Sequence, residues 1–332
     1  MLHATSNPLF APIVYENCKS SSMPWSIITS STTNASLCAV LAGFMMTAAA
    51  FLLRRDNPAV ENQSDSSVNN EMRTGFQTYT LALFGSGVVV LGLNAYLFGN
   101  IASLAPVVNP RREVPFGMTY PCASAWTQAM PASSMLAVGG CLLVAGLAWM
   151  LAHYFAEERI RSSPMITIPA FLIFVVIGTS SLLAISTAVL YLRVMEEQFG
   201  FKITHSASIQ SWWWAAWVLL VFAVGFIIIR KTVSFLTVAK RARSANTSKP
   251  LKLKPHYRWL AIAAFTTVFL AGMGPIFASF VGEPGLLIDE VTGFPKLFTV
   301  WVAFVFAVAP VVLVMVPIAL AVPNAELPQI DE

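Results

Sequence analysis

Seven apolar stretches, each about long enough to cross a bilayer and none with Asp, Glu, Lys or Arg at its centre, dominate this chain. They run over residues 36–53, 77–98, 132–153, 166–192, 212–229, 259–281 and 297–321. A hydrocarbon core of about 30 Å takes roughly 20 apolar residues as helix, since lipid offers no partner to an unpaired backbone N–H or C=O. The pattern predicts an all-α polytopic membrane protein, a bundle of seven transmembrane helices.

Charge says where the polar segments go. Only 11% of the 332 residues are charged, against about 25% in an ordinary soluble domain. The connections between spans run to about 35 residues at most, too short for a soluble domain of usual size. One membrane domain, residues 36–321, is therefore expected between an extracytoplasmic arm, 1–35, and a short tail, 322–332. The arm is mixed and polar, so no cleavable signal peptide is expected there. A net charge of +4 does not call for a nucleic-acid partner.

The placement of Lys and Arg predicts orientation. With the N-terminus outside, 14 of the 20 basic residues fall on inner segments. The other 6, Lys19, Arg111, Arg112, Arg193, Lys202 and Lys296, fall outside. Short cytoplasmic loops retain Lys and Arg, so the chain is expected to run N-out and C-in in the cell membrane. Nine of the inner basic residues lie between Arg230 and Arg258 with no acid among them. Each is drawn to anionic headgroups by about 1 kcal/mol. Arg230, Lys231, Lys240, Arg241 and Arg243 are the candidate lipid-surface contacts; a further protein partner or a homo-oligomer is possible. Trp212, Trp213, Trp214 and Trp217 open the fifth span and read as an interface anchor.

The outer side has its own signals. Residues 100–131 hold Pro106, Pro110, Pro115, Pro121 and Pro131, which reads as a long outer loop forming an ordered cap with the arm. Cys18 and Cys122 are the two outer cysteines, and are expected to form a disulfide if the outside is oxidising. Cys38 and Cys141 lie within spans and read as small apolar fillers.

Few residues inside the spans can do chemistry. Asn94 is the amide deepest in an expected span, and an unpaired amide in hydrocarbon costs several kcal/mol, so it is expected to face the interior. Ser180, Ala184, Thr187 and Tyr191 share one face at helical spacing. Asn94, Ser180, Thr187 and Tyr191 are thus the candidate interior polar face, beside space opened by Pro310 and Pro317 in the last span. That face reads either as a packing seam or as a ligand pocket. The four histidines, His3, His153, His205 and His256, form no pair at helical spacing and no metal cluster. No C-x-x-C occurs. No catalytic, metal or cofactor residue is assigned.

The topology resembles that of retinal proteins and G-protein-coupled receptors in span count and orientation only. The last span has no Lys within it for a retinal Schiff base, Lys296 lying at its edge, and no N-P-x-x-Y motif. An enzyme is disfavoured, and so is an ion-coupled pump, which places ionisable groups in its spans. A non-catalytic binding, sensing or scaffold bundle is expected. A transporter or channel for a neutral or apolar solute is the other reading.

Both outer-side expectations are testable on intact cells. A membrane-impermeant thiol reagent should label a cysteine placed at Ser20 and not one at Ser64 or Ser244, and non-reducing mass analysis should find Cys18 joined to Cys122. The reverse labelling, or two free thiols, would overturn them.

Overall fold

The structure, a computed structural model, describes residues 19–20, 23–55, 67–104, 116–157, 163–199, 222, 225–227, 229–230, 233, 252–254, 257–281, 297–321 and 324–326. Six long helices carry it: α1 (Ile27–Arg55), α2 (Ser67–Ser103), α3 (Phe116–Glu157), α4 (Ser163–Phe199), α5 (Tyr257–Val281) and α6 (Leu297–Ala321). Each holds a segment long and apolar enough to cross a membrane. Two short antiparallel ribbons flank them. β1 (Lys19–Ser20) pairs with β2 (Met23–Ser26), and β3 (Lys252–Lys254) pairs with β4 (Asn324–Glu326).

The fold is all-α, and its outer surface is that of a multi-pass membrane protein. Phe44, Phe51, Phe171, Phe265, Phe280 and Phe298 are all at least 60% exposed. A monomer in water does not present so much contiguous apolar surface. Lipid favours it.

Helices α1, α2 and α3 start well before the hydropathy pattern suggests; α2 begins at Ser67, ahead of the stretch 77–98. α1 begins at Ile27, inside the expected arm. The expected proline-rich loop over 100–131 is largely helix: α2 runs to Ser103, and α3 begins at Phe116 and takes in Pro121 and Pro131. Proline lacks an N–H and normally breaks a helix in water. In a membrane bundle neighbouring helices and side chains re-satisfy the freed backbone groups. Every residue from Cys122 to Ala132 is buried, so packing on all sides supports this stretch of α3. The expected fifth span, 212–229, lies mainly outside the described residues. Within it, residues 225–227 are helical, and Gly225 is buried against the Phe174 ring of α4.

Contacts set the sense of each helix. Cys38 meets Asn94 and Met45 meets Gly87, so α1 and α2 are antiparallel. Leu91 meets Gly139 and Phe84 meets Gly146, so α2 and α3 are antiparallel. Thr127 meets Tyr191 and Cys141 meets Ser180, so α3 and α4 are antiparallel. Gly274, near the end of α5, meets Leu97, near the end of α2, so these two run in the same sense. The β3–β4 ribbon joins the start of α5 to the end of α6, and Phe277 of α5 stacks on Phe306 of α6, ring centroids 4.8 Å apart. Thus α2, α4 and α5 run one way, and α1, α3 and α6 the other.

Small residues make the α1–α2–α3 contacts close. A side chain on Gly87 would collide with Met45, and one on Gly139 with Leu91. A Cβ on Gly146 would stand 2.7 Å from the Phe84 ring. Without a hydrophobic force between helices in lipid, such approach is what holds them. Gly140, by contrast, has nothing within 4 Å of a built Cβ. Overpacking costs about 1–3 kcal/mol, so Gly146→Val should lower the thermal midpoint in detergent clearly. Gly140→Val should stay within about 0.5 kcal/mol of the parent. Equal effects would refute this account of the seam.

Candidate functional site

The polar groups buried in the bundle are neutral. Ser31, Thr80, Ser86, Asn94, Ser124, Thr127, Gln128, Ser134, Ser180, Ser181, Thr267 and Thr299 are the buried polar residues, with no Asp, Glu, Lys, Arg or His among them in the described chain. Nor do the described residues contain a group of three His, Cys, Asp or Glu able to hold a metal ion. What these side chains offer is hydrogen bonding.

Most hydroxyls are satisfied by their own helix. Thr127 Oγ1 donates to the Ala123 carbonyl at 2.7 Å, Ser181 Oγ to Ile177 at 2.6 Å and Thr267 Oγ1 to Ala263 at 2.7 Å. Such back-bonding lets a hydroxyl sit in an apolar layer without an orphaned donor.

The remaining bonds run between helices in separate seams. In the α1/α2 seam, Asn94 Nδ2 donates to Cys38 Sγ at 3.3 Å, while Asn94 Oδ1 is buried with no partner. In the α3/α4 seam, Tyr191 and Thr127 hydroxyls lie 3.2 Å apart. The single Thr127 proton is committed to Ala123, so the Tyr191 hydroxyl is the donor. Further along the same seam, Cys141 Sγ donates to Ser180 Oγ at 3.2 Å. In the α4/α6 contact, Ser181 Oγ lies 3.2 Å from Met315 Sδ. Within α3, Gln128 Nε2 donates to Ser124 Oγ at 3.0 Å.

The four residues of the expected polar face are therefore placed as follows. Asn94, Ser180 and Tyr191 are all buried. Asn94 turns toward α1, because α2 packs between α1, α3 and α5, and its partner is a thiol rather than a hydroxyl of α4. Ser180 and Tyr191 face α3. Thr187 is half-buried and its hydroxyl bonds back to the Leu183 carbonyl at 2.8 Å. The four are not brought together. Pro310 and Pro317 are buried in α6, while Asn94 bonds to Cys38 of α1.

Cys38 and Cys141 are free thiols, and they are hydrogen-bond partners rather than the plain fillers that their apolar surroundings suggest. Cys122 is buried near the start of α3, and Cys18 lies outside the described residues. Arg230 is exposed; Lys231, Lys240, Arg241 and Arg243 lie outside the described residues. Ser124, Thr127 and Gln128 fall in the proline-rich stretch that reads as a loop, although their spacing of 3 and 4 is itself a helical signal; Ser134 lies within the expected third span.

Comparison with protein families, with curated proteins and with solved structures finds no match to this chain.

The Thr127–Tyr191 bond should behave as a coupled pair. Interhelical hydrogen bonds in membranes contribute about 0.6 kcal/mol on average and up to about 1.7. A double-mutant cycle of Thr127→Val and Tyr191→Phe, read by unfolding in mixed micelles, should return a coupling in that range. Strictly additive losses would mean that the two hydroxyls do not interact.

Proposed function

We propose that this chain is a seven-helix protein of the cell membrane, N-terminus outside and C-terminus cytoplasmic, working as a non-catalytic binding, sensing or scaffold bundle. The observation that carries this reading is that the buried polar residues of the described chain are neutral, and that their bonds are spent within a helix or on joining one helix to the next. General acid–base chemistry needs a group that titrates in the working range, and ion coupling needs ionisable groups at membrane depth. Hydroxyls, amides and thiols tied across seams supply adhesion instead.

The helix senses support the span count. α4 and α5 run in the same sense, which supports an odd number of crossings between Phe199 and Tyr257. The apolar stretch 212–229 is suited to that crossing, and the packing of Gly225 against Phe174 of α4 supports it. The distribution of Lys and Arg supports the orientation. The β3–β4 ribbon agrees with it: Lys252 stands opposite Glu326 in register, so the acidic tail meets the basic segment at the end where α5 starts and α6 finishes. On this reading the basic segment, including Arg230, Lys231, Lys240, Arg241 and Arg243, lies against anionic headgroups. Cys18 directly precedes β1, and the other two thiols are spent in the seams, which leaves Cys122 as its disulfide partner outside.

A transporter or channel for a neutral solute is the second reading. Asn94 Oδ1 and Ser134 Oγ favour it, being buried without partners. Reconstitution separates the two. Vesicles containing the protein should show the same water, urea and glycerol permeability as protein-free vesicles. A flux above that baseline that Asn94→Leu abolishes while the protein stays assembled would establish the second reading and remove the first.

A further inference from the structure

Lys252 and Lys254 look equivalent in the sequence, and the β3–β4 ribbon makes them different. In its register Lys252 stands opposite Glu326 and Lys254 opposite Asn324. Residues directly opposite each other, and residues two apart on one strand, share a face of a ribbon. That face holds a basic position with an acidic neighbour and a basic position with a neutral one. An opposite-charge cross-strand pair and the pull of an anionic surface on one basic residue are of the same order. The Lys252–Glu326 pair is therefore neutral as a unit, while the Lys254–Asn324 pair keeps one positive charge.

The height of the ribbon is fixed by its connections. β3 ends at Lys254 and α5 begins at Tyr257; α6 ends at Ala321 and β4 begins at Asn324. Three residues of chain reach about 11 Å at full extension, so the ribbon is held at the membrane end of both helices. Arg258 is exposed in the first turn of α5 and opens its apolar span, which runs from Arg258 to Val281. No acidic residue lies between Arg230 and Arg258 in the sequence.

Beyond Arg258 the helix offers an apolar track. Ile262, Phe265 and Phe269 follow it at intervals of four, three and four residues, so the four share one face of α5, and all are exposed. The next position of the series, Gly272, is exposed and has nothing within 4 Å of a built Cβ. Trp259 beside Arg258 is exposed as well, as suits a ring at the headgroup level. Positive charge at the head of an exposed apolar stripe is the complement of an amphiphile with an anionic head. A free inorganic anion would leave the stripe unused.

We propose that Lys254 and Arg258 hold the phosphate of one anionic phospholipid where β3 leads into α5, with an acyl chain along Ile262, Phe265 and Phe269. Glu326 withholds Lys252 from the same phosphate. This site rests on the reading above that the basic segment lies against anionic headgroups, and the register of the ribbon selects which of its residues take part.

Native mass spectrometry of the purified full-length protein in mixed micelles counts the lipid retained. The parent should retain dioleoylphosphatidylglycerol in preference to dioleoylphosphatidylcholine. Lys254→Gln and Arg258→Gln should each lower phosphatidylglycerol retention about fivefold, the equivalent of about 1 kcal/mol for one basic residue. Lys254→Arg keeps the charge and should bind as the parent does, which separates loss of charge from loss of fold. Two variants of equal charge isolate the register. Asn324→Glu gives Lys254 an acidic neighbour and should match Lys254→Gln, whereas Ala325→Glu, on the other face of the ribbon, should cost clearly less. Replacing Lys252 and Glu326 together by Gln should leave retention at the parent level. Inorganic phosphate in excess should leave the lipid bound. A parent without preference for phosphatidylglycerol overturns the headgroup reading and the site with it. A preference that survives Lys254→Gln and Arg258→Gln, a loss in Lys254→Arg or in the double variant, or equal losses in Asn324→Glu and Ala325→Glu overturns the site alone and leaves the headgroup reading standing. Displacement by inorganic phosphate assigns the site to a soluble anion and overturns the lipid.

Discussion

Lipid makes no hydrogen bonds, and the architecture follows from that. Helices satisfy most of their backbone internally, and most polar side chains inside bond to an atom of the protein. Hydroxyls meet the demand locally by bonding to their own carbonyls. Asn94 and Tyr191 cannot do so and reach across to Cys38 and Thr127. The result is a set of point attachments that fix which helix stands beside which, and at what height.

α3 is the axis on which those attachments converge. Its 42 residues span about 63 Å at 1.5 Å per residue, roughly twice the hydrocarbon thickness. One side carries Gly139 and Gly146 and admits Leu91 and Phe84 of α2. Another carries Thr127, Ser134 and Cys141 and meets α4. Close steric fit on one side and sparse hydrogen bonds on the other are the two forces available between helices in lipid, and this helix uses one on each side.

The same constraint bears on function. Among the described residues no Asp, Glu, Lys, Arg or His side chain is buried, and the buried bonds are made within a helix or from one helix to the next. The β3–β4 register, with Lys252 opposite Glu326, brings the two oppositely charged surface segments of the chain together beneath α5 and α6.

Length and hydropathy by themselves determine that the chain enters the membrane, and where: the segments that became α2, α4, α5 and α6 are legible at once, because burial in lipid demands uninterrupted apolar residues. The interior placement of Asn94 is legible for the same reason. Tertiary structure alone decided the rest. Pro121 and Pro131 read as breakers, and only packing around Cys122–Ala132 shows that they sit in a helix. Asn94 needs a partner, but a period of 3.6 says which face it occupies and not which neighbour that face meets, so Cys38 could not be chosen from the sequence. Ser180, Thr187 and Tyr191 share a stripe, yet the neighbour's position sends two of them into a seam and leaves Thr187 at the edge. Hydropathy is a property of one segment against lipid. Partnership is a property of two segments against each other, and it exists only once the helices have packed.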